Sequence, residues 1–166
     1  MTANAADHES SHAKSALANV TRLGGSGQWG AYVDNASGGK ICYLIGKPRG
    51  TGSGHAKNDG VRMSVTHRPA DKVKDVVNFM LGFRARKGRG ATLNIDGHKY
   101  NLFTQKSGAW TRDAATDHTV VTAMMRGRQA AIKAQPEHGG AVTESYDLNG
   151  FTAVLALIDR ACDVRQ

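Results

Sequence analysis

The sequence predicts one mainly β domain, an antiparallel β-sandwich with a short helix at 117–126 and a C-terminal helix. Twenty glycines against three prolines favour many tight turns between short strands. Residues 61–66 alternate apolar and polar side chains, which is the pattern of a strand with one buried face. An Asp-Gly pair at 96–97, between two alternating segments, is typical of a tight hairpin. At 166 residues, the chain is long enough for one core and too short for two ordinary domains.

Residues 1–26 are predicted to form a flexible tail, and the β-rich domain is predicted to span 27–166. The tail is rich in Ala, Ser and Asn and ends in a Gly/Ser stretch, so it offers no apolar face to bury. It contains no apolar signal-peptide segment, but Ala3-Asn4-Ala5 has the small-x-small form that signal peptidase cleaves after. The sequence is therefore compatible with a chain from which a signal peptide has been removed.

Short strands are predicted through the first part of the domain. Segments 29–33 and 40–45 flank DNASGG, whose composition is typical of a hairpin loop. Segment 73–83 is rich in Val, Phe and Met and contains a glycine, which favours strand over helix. The Asp-Gly pair predicts a type I′ turn, with both residues at positive φ. AWT at 109–111 is predicted to be one further short strand.

Two helices and two strands are predicted in the second part. The helix near 117–126 is expected to be capped by Thr116 or Asp117 and to end at Gly127. QAAIKA and VTESYDL are expected to be strands separated by the turn PEHGG. Asn149 is the expected N-cap of the C-terminal helix. Apolar residues recur there at helical spacing on one face, namely Phe151, Val154, Leu155, Ile158 and Cys162.

The chain has two cysteines, Cys42 and Cys162. Both faces of the strand around Cys42 are apolar, so that strand is expected to be central and buried, and Cys162 falls on the apolar face of the last helix. The two side chains are candidates to meet in a disulfide, which would require an oxidising compartment. Two reduced core thiols remain the alternative, because free cysteine is often buried.

The order of these segments resembles the invasion-associated locus B family of alphaproteobacterial exported proteins over about residues 23–162. The most specific matches surround Cys42, Trp110, 124–127 and 146–162. The family's usual Tyr-Ser-Leu-x-Gly stands here as Tyr-Asp-Leu-Asn-Gly at 146–150.

This resemblance implies a non-enzymatic, periplasmic or secreted protein with a Cys42–Cys162 disulfide and a link to host-cell invasion. It implies no catalytic residue, cofactor or metal.

Positive charge is concentrated in residues 40–90, although the whole chain carries a net charge of +8. The densest segment is RARKGRG at 84–90, which predicts an exposed loop that binds phosphate, sulfate or carboxylate groups. Anionic lipid, lipopolysaccharide or acidic glycan are the expected partners; nucleic acid and membrane-spanning segments are not expected. A merely solvated basic surface is the alternative. The candidate polyanion-binding residues are Arg84, Arg86, Lys87, Arg89, Arg49, Arg62 and Arg68.

Two other functions remain as alternatives. His8, Glu9 and His12 match H-E-x-x-H, in which two histidines on one helix face bind zinc and the glutamate acts as a base. That motif lies in a polar tail without an apolar stripe, so a zinc-dependent hydrolase is the weaker hypothesis. The third possibility is a periplasmic binding module for an acidic ligand.

Overall fold

The computed structural model describes residues 19–35, 38–49 and 60–166. Two α-helices, α1 (Ala114–Arg126) and α2 (Phe151–Ala161), and a 3-10 turn at Pro69–Asp71 accompany ten strands. The strands are β1 (Val20–Ser26), β2 (Trp29–Asp34), β3 (Ile41–Gly46), β4 (Arg62–Arg68), β5 (Val73–Met80), β6 (Ala91–Ile95), β7 (His98–Gln105), β8 (Gly108–Trp110), β9 (Gln129–Ala134) and β10 (Val142–Asp147).

All ten strands belong to one open antiparallel sheet in the order β1-β2-β3-β4-β5-β8-β7-β6-β9-β10. The mainly β class and the C-terminal helix are confirmed, but the predicted two-sheet sandwich is not found. The reason lies in β7, which pairs with two neighbours in succession. Its residues 98–102 pair with β6, and its residues 103–105 pair with β8. This strand therefore joins two groups of strands that would otherwise be separate sheets.

The Asp96-Gly97 hairpin is confirmed. Asp96 has φ 48° and Gly97 has φ 94°, as a type I′ turn requires at both central positions. The side chain of Asn94 also accepts a hydrogen bond from the Gly97 N–H at 2.7 Å.

The sheet begins earlier than the sequence predicted. Residues 20–26 were assigned to the tail but form β1, which pairs with β2. A Cβ at Gly24 would lie 3.0 Å from Leu157 Cδ1 of α2, so glycine lets this helix approach the strand. The glycine-rich composition that suggested a linker therefore allows β1 and α2 to pack closely. Residues 1–18 lie outside the described residues, and the flexible tail remains a prediction for them.

The core lies between the sheet and the two helices. Phe151, Val154, Leu155 and Ile158 of α2 are buried, as the helical spacing predicted. The indole ring of Trp29 lies edge-on to Phe151, with ring centroids 5.1 Å apart, and it donates a hydrogen bond to the Asp147 carbonyl at 2.8 Å. This hydrogen bond links β2 to β10, which lie at or next to opposite edges of the open sheet.

Both predicted N-caps are wrong. The cap of α1 is Asp113, whose carboxylate accepts a hydrogen bond from the Thr116 N–H at 2.7 Å. The cap of α2 is Gly150, with φ 91°. A Cβ there would meet the backbone oxygen of Ser26 at 2.7 Å, so close packing on β1 selects glycine over the side-chain cap that Asn149 would provide. Gly127 ends α1 as predicted.

A disulfide joins Cys42 of β3 to Cys162, which directly follows α2, with the Cα atoms 6.1 Å apart. The bond spans 120 residues of sequence and fixes the end of the helix to a central strand. This confirms the pairing that the family resemblance implied. Because the glutathione and thioredoxin systems keep most cytosolic thiols reduced, the bond indicates an oxidising location outside the cytoplasm.

We expect replacement of both cysteines by alanine to lower the free energy of unfolding by about 2–5 kcal/mol, because the unfolded chain regains the entropy of a long loop. Urea denaturation measures the change. Reductant should reproduce it in the native chain and have no effect on the double variant. An unchanged urea midpoint after reduction of both thiols would contradict this expectation.

We expect Asp113→Ala to lower the melting temperature by a few degrees, because the Thr116 N–H loses its acceptor. Asp113→Asn is the matched control, since asparagine also caps helices. The hydrogen bonds from Thr116 lower the pKa of Asp113. The carboxylate therefore stabilises the fold above its ordinary pKa, and this contribution disappears as the pH falls through the lowered value. Melting curves at neutral and acidic pH should show the Ala variant approaching the native chain in acid.

Candidate functional site

One end of the sheet collects the strand termini and loops that carry most of the predicted cationic residues. The register aligns Arg62 of β4 with Met80 of β5, Met80 with Gly108 of β8, and Gly108 with Gln105 of β7. Gly46 lies opposite Met63 at the same end, so the segment that follows β3 also emerges there. We call the segments 46–49, 60–62, 80–91, 104–108 and 134–142 the basic end.

The basic end holds eight cationic side chains in the described chain. Its cationic residues are Lys47, Arg49, Arg62, Arg84, Arg86, Lys87, Arg89 and Lys106. Glu137 is the acidic residue found in these same segments. Unequal charge of this kind produces a positive potential, which attracts anions and accelerates their association.

Loop 81–90 lies between β5 and β6, and its RARKGRG segment at 84–90 is exposed apart from Ala85, as the sequence predicted for that segment. Its backbone is nevertheless held on both sides. The buried residue Ala85 donates from its N–H to the Lys106 carbonyl at 2.8 Å, and the Arg86 N–H donates to the Gln135 carbonyl at 2.8 Å. The Thr104 hydroxyl donates to the Arg89 carbonyl at 2.6 Å. The cationic side chains therefore project from a fixed backbone.

A surface cavity of about 370 Å³ lies beside this loop. Arg84, Arg86, Lys87 and Lys106 contribute its cationic lining, and Glu137 contributes a carboxylate. Arg84 Nε lies 3.5 Å from Glu137 Oε1 in a pair whose side chains are 61% and 37% exposed. Exposed pairs of this type contribute little to stability, so an anionic ligand can compete for Arg84 at small cost.

The structure groups six of the seven candidate residues and separates one. Arg68 lies at the far end of β4 from Arg62, about 20 Å away along the strand, and faces Asp71 at 3.8 Å. Arg49, Arg62 and Arg89 belong to the basic end but do not line the cavity. Charge density in the sequence could not distinguish Arg68 from the others.

Lys106 was not predicted from the sequence as a site residue. It lies in the turn between β7 and β8, 15 or more residues from the dense cluster, and only strand pairing brings it beside Arg86. Its positive φ of 53° marks a tight turn, yet no turn residue such as Gly or Asn stands at this position to reveal it.

A second group of polar residues lies beside the disulfide. His67 of β4 is opposite Cys42 and is fully buried. Its Nδ1 accepts a hydrogen bond from the Asp75 N–H at 3.0 Å, so Nδ1 carries no proton. Nε2 therefore carries the proton and donates to Asp159 Oδ1 of α2 at 2.8 Å. This histidine connects β4, β5 and the helix that bears the disulfide.

Asp75 extends this group towards the surface. It is 1% exposed, has φ 59°, and its carboxylate accepts from Gln166 Nε2 at 2.9 Å. His118 Nδ1, on a half-exposed ring of α1, lies 3.2 Å from Asp75 Oδ2. In the described part of the chain, no group of three or more His, Cys, Asp or Glu side chains has the geometry of a metal site. The arrangement is a structural network that fastens both helices to the sheet.

The predicted zinc ligands His8, Glu9 and His12 lie outside the described residues. Among the residues that are described, no helix is long and apolar enough to cross a membrane.

The family model for Invasion associated locus B (IalB) protein matches the chain over residues 29–159. The chain belongs to the IalB family. No curated protein and no solved structure matches it. The match to the IalB family extends from β2 almost to the end of α2 and so includes Cys42, the basic end and the network around His67.

We expect Asp159→Ala to lower the free energy of unfolding of this IalB-family protein by about 1–3 kcal/mol, because the buried Nε2–H of His67 loses its acceptor. Chemical denaturation measures the loss. Asp71→Ala is the matched control: it removes an exposed carboxylate paired with Arg68 and should change stability by less than about 0.5 kcal/mol. Equal effects of the two substitutions would show that the His67 contact is not stabilising.

Proposed function

We propose that this IalB-family protein acts outside the cytoplasm as a non-enzymatic surface-contact protein that binds polyanions through its basic end and thereby contributes to host-cell invasion. The observation that carries the proposal is the convergence of eight cations with one carboxylate on segments far apart in the sequence. Family membership supports the link to invasion, and the disulfide supports the location.

The geometry favours binding over catalysis. The basic end presents charged side chains on a backbone held by hydrogen bonds, and such side chains recognise phosphate, sulfate or carboxylate groups through multiple contacts. Its cavity opens to solvent at the surface, and the charged part of its lining consists of arginine and lysine side chains with Glu137. Arginine is always charged at physiological pH and does not act as a proton carrier. Cationic side chains on a fixed backbone are suited to attracting and orienting an anionic partner.

A binding site for a small acidic ligand is the second candidate. The cavity of about 370 Å³ is large enough to hold a compact phosphorylated or carboxylated molecule. This function would use Arg84, Arg86, Lys87 and Lys106 and would not need Arg49 or Arg62. The two functions therefore differ in which substitutions matter.

We expect replacement of Arg84, Arg86, Lys87 and Arg89 by serine to leave thermal stability nearly unchanged and to weaken binding to heparin and to anionic vesicles. Each phosphate or sulfate contact releases counterions, so the native chain should also lose affinity steeply between low salt and about 0.15 M salt. Heparin-column elution and vesicle cosedimentation measure both effects.

The matched control replaces Lys99, Arg112, Lys133 and Arg165 by serine, which removes equal charge from exposed positions outside the basic end. Equal elution of the two quadruple variants would show that net charge, and not a localised site, accounts for heparin binding. Competition by inorganic phosphate or citrate, with no additional loss in Arg49→Ser and Arg62→Ser, would instead favour the small-ligand function.

A further inference from the structure

The outer face of the sheet, opposite the helices, carries aromatic rings over half of its width. On β3, Cys42 and Leu44 face the core, so Tyr43 and Ile45 face outward. The outward row continues through Ser64 and Asn78 to Trp110 and Phe103. Tyr32 lies opposite Tyr43 on the neighbouring strand.

The rings form two stacked pairs that lie against the sheet. Tyr32 and Tyr43 have centroids 5.4 Å apart and planes inclined by 19°; Phe103 and Trp110 have centroids 5.8 Å apart and planes inclined by 25°. A Cβ at Gly30 would lie 3.2–3.3 Å from Tyr32 ring carbons, and one at Gly108 would lie 2.8 Å from carbons of the Trp110 indole. Both rings thus lie over glycines, which leave room for them on the sheet surface.

Charge accompanies the aromatic rings. A depression of about 180 Å³ beside Tyr32 is lined by Arg22 and Lys47, and its lining contains no acidic residue. Burial, followed by the nearby Asp34 carboxylate and Tyr32, raises the pKa of the Tyr43 hydroxyl. At the other side, Gln105 continues the outward row of β7 into the cavity beside loop 81–90.

The remainder of the outer face provides a contrast. On β6, β9 and β10 the outward positions carry Thr92, Asn94, Lys133, Thr143 and Ser145, with no aromatic side chain. Aromatic residues of the outer face are therefore concentrated on β2, β3, β7 and β8. In the described chain, both helices pack on the opposite face: α2 is fastened to Cys42, and α1 contacts the core-facing Asp75 through His118.

We propose that this aromatic face binds an acidic polysaccharide, whose sugar rings lie on Tyr32, Tyr43, Trp110 and Phe103 while its sulfate or carboxylate groups contact the flanking cations. The inference rests on the proposed function and specifies the chemical class of the polyanion. A pyranose ring has an apolar face of C–H groups, which packs on an aromatic ring by dispersion and weak C–H contacts. The nearest rings of the two pairs, Tyr43 on β3 and Trp110 on β8, are about 15 Å apart across three strand spacings, within the reach of a short oligosaccharide.

Charge complementarity selects this occupant. A neutral apolar partner would leave Arg22 and Lys47 beside a dry surface, where unpaired charge is unfavourable. A polyanion without rings, such as polyphosphate, would use the cations and gain nothing from the aromatic residues. Only a chain with both rings and anionic groups uses the whole face.

The experiment measures dissociation constants for heparin and for inorganic polyphosphate at about 0.15 M salt. Tyr32→Ala and Trp110→Ala should each weaken heparin binding about tenfold and leave polyphosphate binding within about twofold. Tyr32→Phe and Trp110→Tyr, which keep a ring, should bind heparin nearly as the native chain does. Tyr100→Ala, which removes a partly buried tyrosine elsewhere, should leave both constants unchanged. If an alanine variant fails to fold, Phe103→Ala replaces it, because Phe103 is 40% exposed.

Each other result overturns the inference. One such result is that the aromatic variants bind heparin unchanged while the quadruple loop variant loses both ligands. That result would support polyanion binding at the basic end and reject sugar stacking on the aromatic residues. A native chain that binds neither ligand would reject the proposed function itself. Equal losses for heparin and a single-stranded oligonucleotide would assign the rings to base stacking. A native dimer that dissociates in Tyr32→Ala would assign the face to a second copy of this chain.

Discussion

The attachment of α2 to the sheet is the constraint on which the rest of the structure depends. The disulfide fixes the end of the helix to β3, and Asp159 fixes the same helix to His67 on β4. A covalent bond and a partly buried hydrogen bond thus hold two residues that are three positions apart at the end of the helix. Because α2 covers the core-facing side of the central strands, its position decides which face of the sheet is dry and which remains available to partners.

The basic end results from the antiparallel order of the strands. Antiparallel strands bring alternate termini to the same end, so loops distant in sequence become neighbours without a dedicated binding domain. Hydrogen bonds from Ala85 and Arg86 to neighbouring turns hold the most highly charged loop. Ordered backbone reduces the entropy lost when the charged side chains bind a ligand. The outer face adds aromatic surface beside this charge, so the two features can act on the same molecule.

The features predicted correctly from the sequence are those that depend on a few neighbouring residues. Alternation in 61–66, the Asp96-Gly97 turn and the apolar stripe of α2 each depend on a few neighbouring residues, and the structure contains all three. Contacts between distant segments escaped prediction. Gly24 was assigned to a flexible tail and Asn149 was expected to cap α2, but Gly24 and the actual cap Gly150 are sites of close approach between α2 and β1. Lys106 and the outward Trp110 joined their neighbours through strand register, which sequence alone did not reveal. The single sheet likewise depends on the division of β7 between two partners.

The separation of the two cysteines also determines the order of events during biogenesis. A chain that enters an oxidising compartment with its N-terminal side first presents Cys42 there while the residues up to Cys162 are still to come. Throughout that interval Cys42 is a single thiol, open to mixed disulfides with other proteins. Native pairing must wait until Cys162 itself has emerged, after β4, β5 and all the strands beyond them. The bond therefore closes only after all ten strands have entered the compartment, and it cannot restrict the chain while the strands are still arriving.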